Sequence, residues 1–465
     1  MIGNAWASMW TVFALGALVV VGCGSKVERS IGDLGGTQEE REQAKMELAL
    51  AKDDAIEPLI QALGDLSRPP KVRVDIAEVL FRVYLREDDP RILDALIQAL
   101  QDGDPGVRAG VATALGDMRK DEAVPPLLDA LEKEEDDNVT YEILVALEAL
   151  GLQGWGGEAV VIFEKLPEGG AERFVRVLRE ELSGGSAKVQ REAREWLEML
   201  AEGIARKADQ LVLKGDLQEA EKQYYEAKDL VPDSKNINQK LGKFYYDNGD
   251  EQKGLDILSE YGMVAYARKL SPPPVIDGVL DDPCWKKVKP FTQFYQCIYS
   301  MAAYPTEGRS EAYVGYTQDA LFVATKGYEP STKTMTANVT QRDGRVWIDD
   351  DVDIYLDTDH DYNTYYQIVI NSLGAIYDKA CSRGASMDAA WNANYAVATA
   401  VEDTFWTCEI GIPFKDLEHG QVKRGTLWGF NVCRVRIGNA SEFGQWVPTY
   451  GYAHRPERFG FLFFE

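Results

Sequence analysis

The sequence predicts a multidomain protein in which an all-α solenoid of helical repeats precedes an all-β sandwich or jelly roll. The first observation is internal repetition, with a period of about 30 residues, across residues 38–200. The second is Pro272-Pro273-Pro274, which ends the helical pattern because proline cannot continue a helix. The third is apolar alternation with a period of two from there to the C-terminus, which is typical of strands. A chain of 465 residues with this pattern is expected to form several domains.

Residues 38–200 consist of recurring pairs of helices. A first helix recurs at Glu57–Leu63, Leu93–Leu100 and Val124–Leu131, and a second at Val72–Tyr84, Val107–Met118 and Val139–Leu150. The stretch from Asp104-Pro105 to Ala114-Leu115-Gly116 resembles the short HEAT-like repeats first known from phycobilisome lyases. The resemblance is to the repeat and not to the lyase activity, and it implies a stacked solenoid that binds a protein partner.

A second type of helical repeat is predicted for residues 201–270. Gly215-Asp216 and Gly249-Asp250 lie 34 residues apart, and each opens a similar helix. This spacing, together with small residues where paired helices would meet, resembles tetratricopeptide repeats. Gly254 stands where that family has alanine, a departure that is expected to weaken the second copy.

Residues 271–465 are predicted to form the sandwich as a separately folding domain. The candidate strands are Glu311–Tyr316, Leu321–Thr325, Asp351–Asp357, Tyr365–Asn371, Ala396–Val401, Phe405–Ile412, Leu427–Val435 and Phe459–Phe464. The opening Ile276-Asp277-Gly278-Val279-Leu280-Asp281-Asp282, followed by Trp285, resembles the start of the carbohydrate-binding module family 9-like, DOMON-related β-sandwich. The resemblance implies binding of a poly- or oligosaccharide rather than catalysis.

The same resemblance implies a set of sugar-binding residues. The family's Trp-x-Asp-Asp-x-Val-acid pattern falls on Trp347 to Asp353 and implies one aromatic wall and one carboxylate of the site. Its late Trp-x-Pro falls on Trp446, which implies a second wall facing the first across the sugar. Gln367 and Arg434 are the candidates for further polar contacts. Trp285, Trp406 and Trp428 are instead expected in the core.

Alternation within the strand predicted over Asp351–Asp357 separates two faces. Val352, Ile354 and Leu356 should face the core, which turns Asp353 to the opposite face. The neighbouring acidic residues are Asp349, Asp350, Asp351, Asp357, Asp359 and Asp361. They lack the EF-hand spacing, so an acidic bend and loop is the first interpretation, and a structural calcium ion is the alternative.

Charge and motifs exclude several classes of function. The net charge of −26, from 76 acidic and 50 basic residues, argues against binding nucleic acid or anionic lipid. The histidines are His360, His419 and His454, and no His-Glu-x-x-His, Gly-x-Ser-x-Gly or phosphate-binding loop is present. We therefore expect a binding protein and not an enzyme; no cofactor is predicted, and structural calcium is the alternative.

The N-terminus is predicted to be a targeting segment. An apolar run, Trp10–Val21, leads to Val20-Val21-Gly22-Cys23, which resembles a bacterial lipobox. The resemblance implies a signal peptide over residues 1–22, lipidation of Cys23 and a linker over 23–37. The alternative is a transmembrane anchor over Ala5–Gly22. Both interpretations place the rest of the chain in the cell envelope, exported and facing the periplasm or the surface.

Two further alternatives concern the sandwich. It could be an assembly module without a sugar, in which case the solenoid carries the function. It could also resemble the DOMON-like domains that hold haem b for electron transfer, for which Met335, Met387 and His360 offer axial ligands. The five cysteines after Cys23 all lie in this domain, and the sequence leaves their pairing open.

Overall fold

The computed structural model describes residues 26–151, 166–382, 388–418 and 422–465. The chain divides into two compact units, Met1–Gly203 and Ile204–Glu465. After a helical stretch over residues 26–33, the helices are α1 (Gln38–Leu50), α2 (Asp53–Gly64), α3 (Pro70–Glu87), α4 (Pro90–Ala99), α5 (Pro105–Met118), α6 (Val124–Leu131), α7 (Asp137–Gly151), α8 (Gly170–Gly184), α9 (Ala187–Leu213), α10 (Leu217–Leu230), α11 (Lys235–Asp247) and α12 (Glu251–Glu260). The helical half predicted from the sequence is confirmed.

Aspartate-proline pairs start two of the repeat helices. Asp104 accepts a hydrogen bond from the Val107 N–H at 3.2 Å, and Pro105 occupies the first position of α5, where no N–H is needed. Asp89 caps α4 in the same way. At the other end of α5, a Cβ on Gly116 would lie 2.8 Å from the Ala146 Cα, so glycine is needed where α5 meets α7.

Ion pairs connect successive repeats at matching positions. Arg41 donates to Asp75 from Nε at 2.9 Å, and Arg108 donates to Glu134 from Nε at 2.8 Å. Between them, Arg73 pairs with the buried Asp102. Removing one partner of such a buried pair would leave the other charge uncompensated, so each pair is a specific contact between one repeat and the next.

The linker predicted over residues 23–37 is corrected by the structure for the part that is described. Residues 26–33 are helical, and Val27, Ile31 and Leu34 are at most 4% exposed. Their spacing of four and three residues puts these side chains on one face. The sequence reads as a polar linker because mostly polar residues lie between them.

In the second unit, α10 and α12 begin directly after the two Gly-Asp pairs on which the repeat prediction rests. Asp216 and Asp250 cap α10 and α12. A Cβ on Gly254 would lie 2.6 Å from the carbonyl oxygen of Gly242. Gly254 therefore permits the close approach of α11 and α12. It favours the packing of the second repeat copy, which the sequence analysis expects it to weaken.

The strands form a curled mixed sheet in the order β7-β6-β5-β10-β12-β1-β3-β4-β9-β8, with β11 between β10 and β2. They are β1 (Val264–Lys269), β2 (Tyr295–Gln296), β3 (Ser310–Tyr316), β4 (Ala320–Tyr328), β5 (Asp351–Asp357), β6 (Thr364–Asn371), β7 (Ile376–Ser382), β8 (Ala396–Val401), β9 (Phe405–Pro413), β10 (Leu427–Arg436), β11 (Glu442–Gln445) and β12 (Gly460–Phe464). The predicted β-sandwich or jelly roll is confirmed.

The strand β1 joins the two halves of the sheet. Its residues 264–267 pair in parallel with β12, and its last two residues pair in parallel with β3. The sheet therefore begins before residue 271, where the sequence placed its start. It also shares one compact unit with α10 to α12, whereas separate folding of residues 271–465 was predicted.

The two halves of the sheet enclose one core. Val352, Ile354 and Leu356 of β5 pack there with Trp406 of β9 and Trp428 of β10, and all are at most 3% exposed. The predicted alternation on β5 and the core positions of these tryptophans are confirmed.

The opening Ile276-Asp277-Gly278 of this region has a structural role. The buried carboxylate of Glu409 accepts hydrogen bonds from the Gly278 N–H at 2.9 Å and from the Trp285 Nε1–H at 2.7 Å. Gly278 has a φ of 85°, and a Cβ there would lie 2.7 Å from the Thr399 carbonyl carbon. The motif thus fastens the start of the module onto β9.

Candidate functional site

A pocket of about 550 Å³ lies on the outer face of β5, β6 and β7. Residues at even positions of β5 and β6 enter the shared core, so those at odd positions point out of it. Asp353 and Tyr355 of β5, Gln367 of β6, and Tyr377 and Lys379 of β7 line the pocket for this reason.

The floor of the pocket is a row of buried polar groups. Tyr355, Gln367 and Lys379 stand opposite one another on three adjacent strands. The Gln367 Nε2–H donates to the Tyr355 hydroxyl at 3.1 Å, and that hydroxyl donates to Asp353 Oδ2 at 3.1 Å. Among the described residues, Asp353 Oδ1 and Gln367 Oε1 have no hydrogen-bond partner. Because buried polar atoms are rarely left unpaired, these two acceptors point to a ligand that supplies donors.

The rim of the pocket carries exposed aromatic rings. Trp347 is 44% exposed and lies just before β5, with its ring centroid 4.7 Å from that of Tyr377. Tyr299 and Tyr452 are 76% and 73% exposed and form an edge-to-face pair at 5.6 Å. A Cβ on Gly451 would come within 3.1 Å of the Tyr299 ring, so glycine there makes room for this pair.

Burial sets the protonation of the floor. It raises the pKa of Asp353 to about 6, because little water reaches the carboxylate, and the hydrogen bonds from Tyr355 and Gln367 and then the charge of Lys379 offset this only in part. Burial, followed by the positive charge of Lys379, lowers the pKa of His454 to about 4. At neutral pH the pocket therefore presents an ionised carboxylate and a neutral imidazole, whose Nδ1 lies 2.9 Å from the Tyr365 hydroxyl.

The structure brings together Trp347, Asp353 and Gln367, but it places Trp446 elsewhere. Trp446 is 3% exposed and packs in the shared core, 4.7 Å from Phe291 and 5.8 Å from Phe430. Its backbone N–H donates to the Val432 carbonyl at 2.8 Å, so the chain after β11 is held against β10. The prediction that Trp446 faces Trp347 across the ligand is wrong.

Arg434 is also outside the pocket. Its guanidinium is buried and donates to the Arg309 carbonyl at 2.7 Å and the Tyr328 carbonyl at 2.9 Å. It also pairs with the buried Glu329, which is shared with Arg436. Position 434 faces β4, since its neighbour in β5 is the core residue Val352. Arg434 therefore holds the sheet together, and its prediction as a binding residue is wrong.

Several lining residues were missed by the sequence reasoning. Tyr377 and Lys379 belong to β7, which was not predicted, although their alternation is a detectable signal. Tyr299 and Tyr452 lie in loops, and Tyr450-Gly451-Tyr452, with a glycine between two aromatic residues, was the available hint for the second.

Five of the six acidic residues fall into two groups, and the sixth, Asp351, is buried at the start of β5. Asp349 Oδ2 accepts the Val339 N–H at 2.8 Å, and Asp350 Oδ2 accepts the Thr336 N–H at 2.7 Å, so both order the loop before β5. The other group is Asp357, Asp359 and Asp361, whose ligand oxygens lie within 4.8 Å of one another. Three carboxylates suit calcium in type, and they supply part of the six to eight oxygens that it takes.

The candidate haem ligands have other surroundings. His360 is half-buried among aromatic rings, with centroids 4.6 Å from Phe461 and 5.9 Å from Tyr246. Met335 packs against the shared core, and Met387 lies outside the described residues.

Cys23, the predicted lipidation site, lies outside the described residues. Within the described parts of the chain, no helix combines the length and the apolar character needed to cross a bilayer.

Comparison with protein families gives two matches. Residues 276–463 match the family described as carbohydrate family 9 binding domain-like. Residues 56–148 match HEAT repeats. No curated relative matches the chain.

Solved structures similar to each part have low sequence identity. A carbohydrate binding module family 9 from Caldicellulosiruptor kristjanssonii in complex with cellotriose is 18% identical, covers 43% of this chain and 93% of its own, and has a TM-score of 0.33. A putative carbohydrate-binding protein from Bacteroides uniformis is 17% identical, with 43% and 99% covered and a TM-score of 0.35. The complex of CpcE and CpcF of phycocyanin lyase from Nostoc is 16% identical, with 50% and 94% covered and a TM-score of 0.27. By its family matches, the chain contains HEAT repeats followed by a carbohydrate family 9 binding domain-like module.

Proposed function

We propose that this protein binds a carbohydrate in the pocket between Trp347 and the Tyr299–Tyr452 pair. The observation that carries the proposal is the combination of exposed rings at the rim with the unpaired acceptors Asp353 Oδ1 and Gln367 Oε1 at the floor. The family match of residues 276–463 supports the class of ligand.

The chemistry of the pocket suits a sugar ring. The faces of a pyranose carry apolar C–H groups that pack on aromatic rings, while its edge carries hydroxyls. A hydroxyl that reaches the floor can donate to Asp353 Oδ1 or Gln367 Oε1, and the buried Lys379 lines the same floor as a cationic donor. The pocket of about 550 Å³ is within the usual range for small-ligand sites.

A glycan array probed with the full-length chain tests the proposal, followed by calorimetric titration of the captured glycan. Trp347→Ala should weaken binding by about one to two decades, since stacking on an aromatic ring contributes about 1–3 kcal/mol. Tyr225→Ala is the matched control, because Tyr225 is 39% exposed and lies on α10, away from the pocket. Equal losses in the two variants, or no captured glycan, would refute sugar binding at this site.

The remainder of the chain is proposed to present this module. Export with a lipid on Cys23 would tether the protein in the cell envelope, and the HEAT repeats would act as a scaffold for a protein partner. Lipobox-like Val20-Val21-Gly22-Cys23 supports the tether, and the acidic composition agrees with a partner other than nucleic acid. We infer that the protein acts by binding and not by catalysis.

A further inference from the structure

One chain segment connects the pocket rim to the helices of the same compact unit. Gly451, Tyr452, Ala453 and His454 line the pocket. A few residues later, a 3-10 turn over Pro456–Arg458 lies against α11. We name residues 449–458 the rim segment.

Three buried side chains of α11 hold the far end of the rim segment. Gln239 donates from Nε2 to the Arg458 carbonyl at 2.7 Å, and Lys243 donates from Nζ to the Glu457 carbonyl at 2.8 Å. In return, Arg458 Nη1 donates to Asn236 Oδ1 at 2.6 Å. The spacing of the α11 residues, at positions i, i+3 and i+7, puts them on one helix face. Each is at most 9% exposed, so water competes little for these bonds.

The near end of the rim segment has an unusual backbone. Tyr450 has a φ of 56° and Gly451 a φ of 138°. An aromatic residue in the left-handed region persists only when the surrounding structure enforces it. Here the Arg455 guanidinium donates to the Thr449 carbonyl at 3.0 Å, and the Arg458 guanidinium lies 5.5 Å from the Tyr450 ring centroid.

Arg458 therefore connects the two ends of the rim segment: its carbonyl and guanidinium bind α11, and the same guanidinium packs on Tyr450. The next residues, Gly451 and Tyr452, are held by the Cys297 Sγ–H, which donates to the Gly451 carbonyl at 2.7 Å, and by Thr449 Oγ1, which donates to the Tyr452 carbonyl at 2.9 Å. A shift of the turn at Arg458 would reach the aromatic rim through one continuous segment, residues 452–458.

We propose that α11 is part of the ligand site: Asn236, Gln239 and Lys243 are positioning residues that set the rim segment, and with it Tyr452, for binding. The proposal rests on the proposed sugar-binding function for its ligand. It implies that the binding unit consists of α11 together with the module matched by the family. A partner or a force that moves α11 would therefore change the affinity of the pocket for its ligand.

Lys243→Met in the full-length chain tests the proposal, because methionine keeps most of the side-chain volume and removes the donor to Glu457. The matched control is Lys240→Met on the same helix, where the lysine pairs with Asp209. Lys243→Arg restores a hydrogen-bond donor at this position. Gln239→Met is a second variant with a smaller change of charge, for use if Lys243→Met does not fold.

Two measurements separate positioning from general stability and from the proposed function. In ligand-free protein, hydrogen exchange of residues 449–456 should accelerate in Lys243→Met while exchange in β5 stays as in the wild type. Affinity for the glycan captured on the array should fall about five- to tenfold, a usual size for coupling between sites, and should recover in Lys243→Arg. By reciprocity, that glycan should slow exchange across residues 236–243 in the wild type.

Unchanged exchange in the rim segment, or an affinity loss as large in Lys240→Met, would overturn the proposal. If the wild type captures no glycan, the proposed function fails, and the exchange experiment still decides whether α11 controls the rim segment.

Discussion

Replacing Asp353 with asparagine should stabilise the protein at pH 8 and weaken its binding. The folded protein raises the pKa of this carboxyl from 3.8 to about 6, because burial disfavours the charge. The folded state thus holds the proton more tightly than the unfolded state. The resulting stability is fully present below about pH 4 and is lost as the pH rises through about 6. A rise of about two in the pKa corresponds to about 3 kcal/mol of unfolding free energy lost above pH 6. Removing the charge should recover about 1–3 kcal/mol of that loss.

The same substitution should cost affinity. A hydrogen bond to a charged group contributes about 1.5–3 kcal/mol, so an Asp353→Asn pocket should bind its glycan about ten- to a hundredfold more weakly at pH 8. Wild-type affinity should fall as the pH drops through about 6, where Asp353 takes up a proton. The variant should show no such pH dependence, because asparagine does not titrate.

The assay combines calorimetric unfolding and titration of the captured glycan, each at pH 5 and pH 8. Asp351→Asn is the matched control. Asp351 lies on the same strand and face, is fully buried with a raised pKa, and does not line the pocket. It should stabilise the protein at pH 8 without weakening binding. An Asp353→Asn protein that is less stable than the wild type at pH 8, or that binds equally well, would refute the reasoning.

Three further predictions follow from single features. Gly278→Ala should lower stability by about 1–3 kcal/mol in denaturant unfolding, because its backbone is left-handed and Thr399 leaves no room for a Cβ; an unaffected midpoint would contradict this. Cys23→Ser should release the protein from membranes or stall its processing in a fractionation experiment, and a fully membrane-bound variant of unchanged size would indicate a transmembrane anchor instead. Calcium should raise the melting temperature of the wild type, and EDTA should reverse the rise. Asp359→Asn should abolish the effect, and an unchanged melting temperature in the wild type would exclude a calcium site at Asp357–Asp361.

Most of the fold could be predicted from local sequence patterns. Strand β5 was predicted with its observed bounds because Val352, Ile354 and Leu356 alternate with polar residues. The missed strands carry weaker patterns. Strand β1, Val264–Lys269, follows a helix directly and is defined by its neighbours β12 and β3, which lie far away in sequence. Strand β7 alternates, but its inner face carries only one large apolar residue, Ile376, followed by the acidic Asp378 and the small Ala380.

The candidate site was predicted in part for a similar reason. Trp347, Asp353 and Gln367 lie on or beside regular strands, where alternation determines the face. Trp446 and Tyr452 lie beyond the last residue of β11, where the direction of a side chain depends on tertiary hydrogen bonds. The residues next to Trp446 in the sequence do not show whether its ring is buried.

The pairing of β1 with both halves of the sheet has a mechanical consequence. If the chain is tethered at its N-terminal end while the pocket holds a glycan, tension enters the module at Val264, the first residue of β1. A pull along this strand loads its parallel ladders with β12 and β3 lengthwise, so several hydrogen bonds must break together rather than one after another. Under such a load, survival depends on the rate of unfolding and not on equilibrium stability. The first strand of the module, placed at its centre, would then be the part that resists detachment in flow.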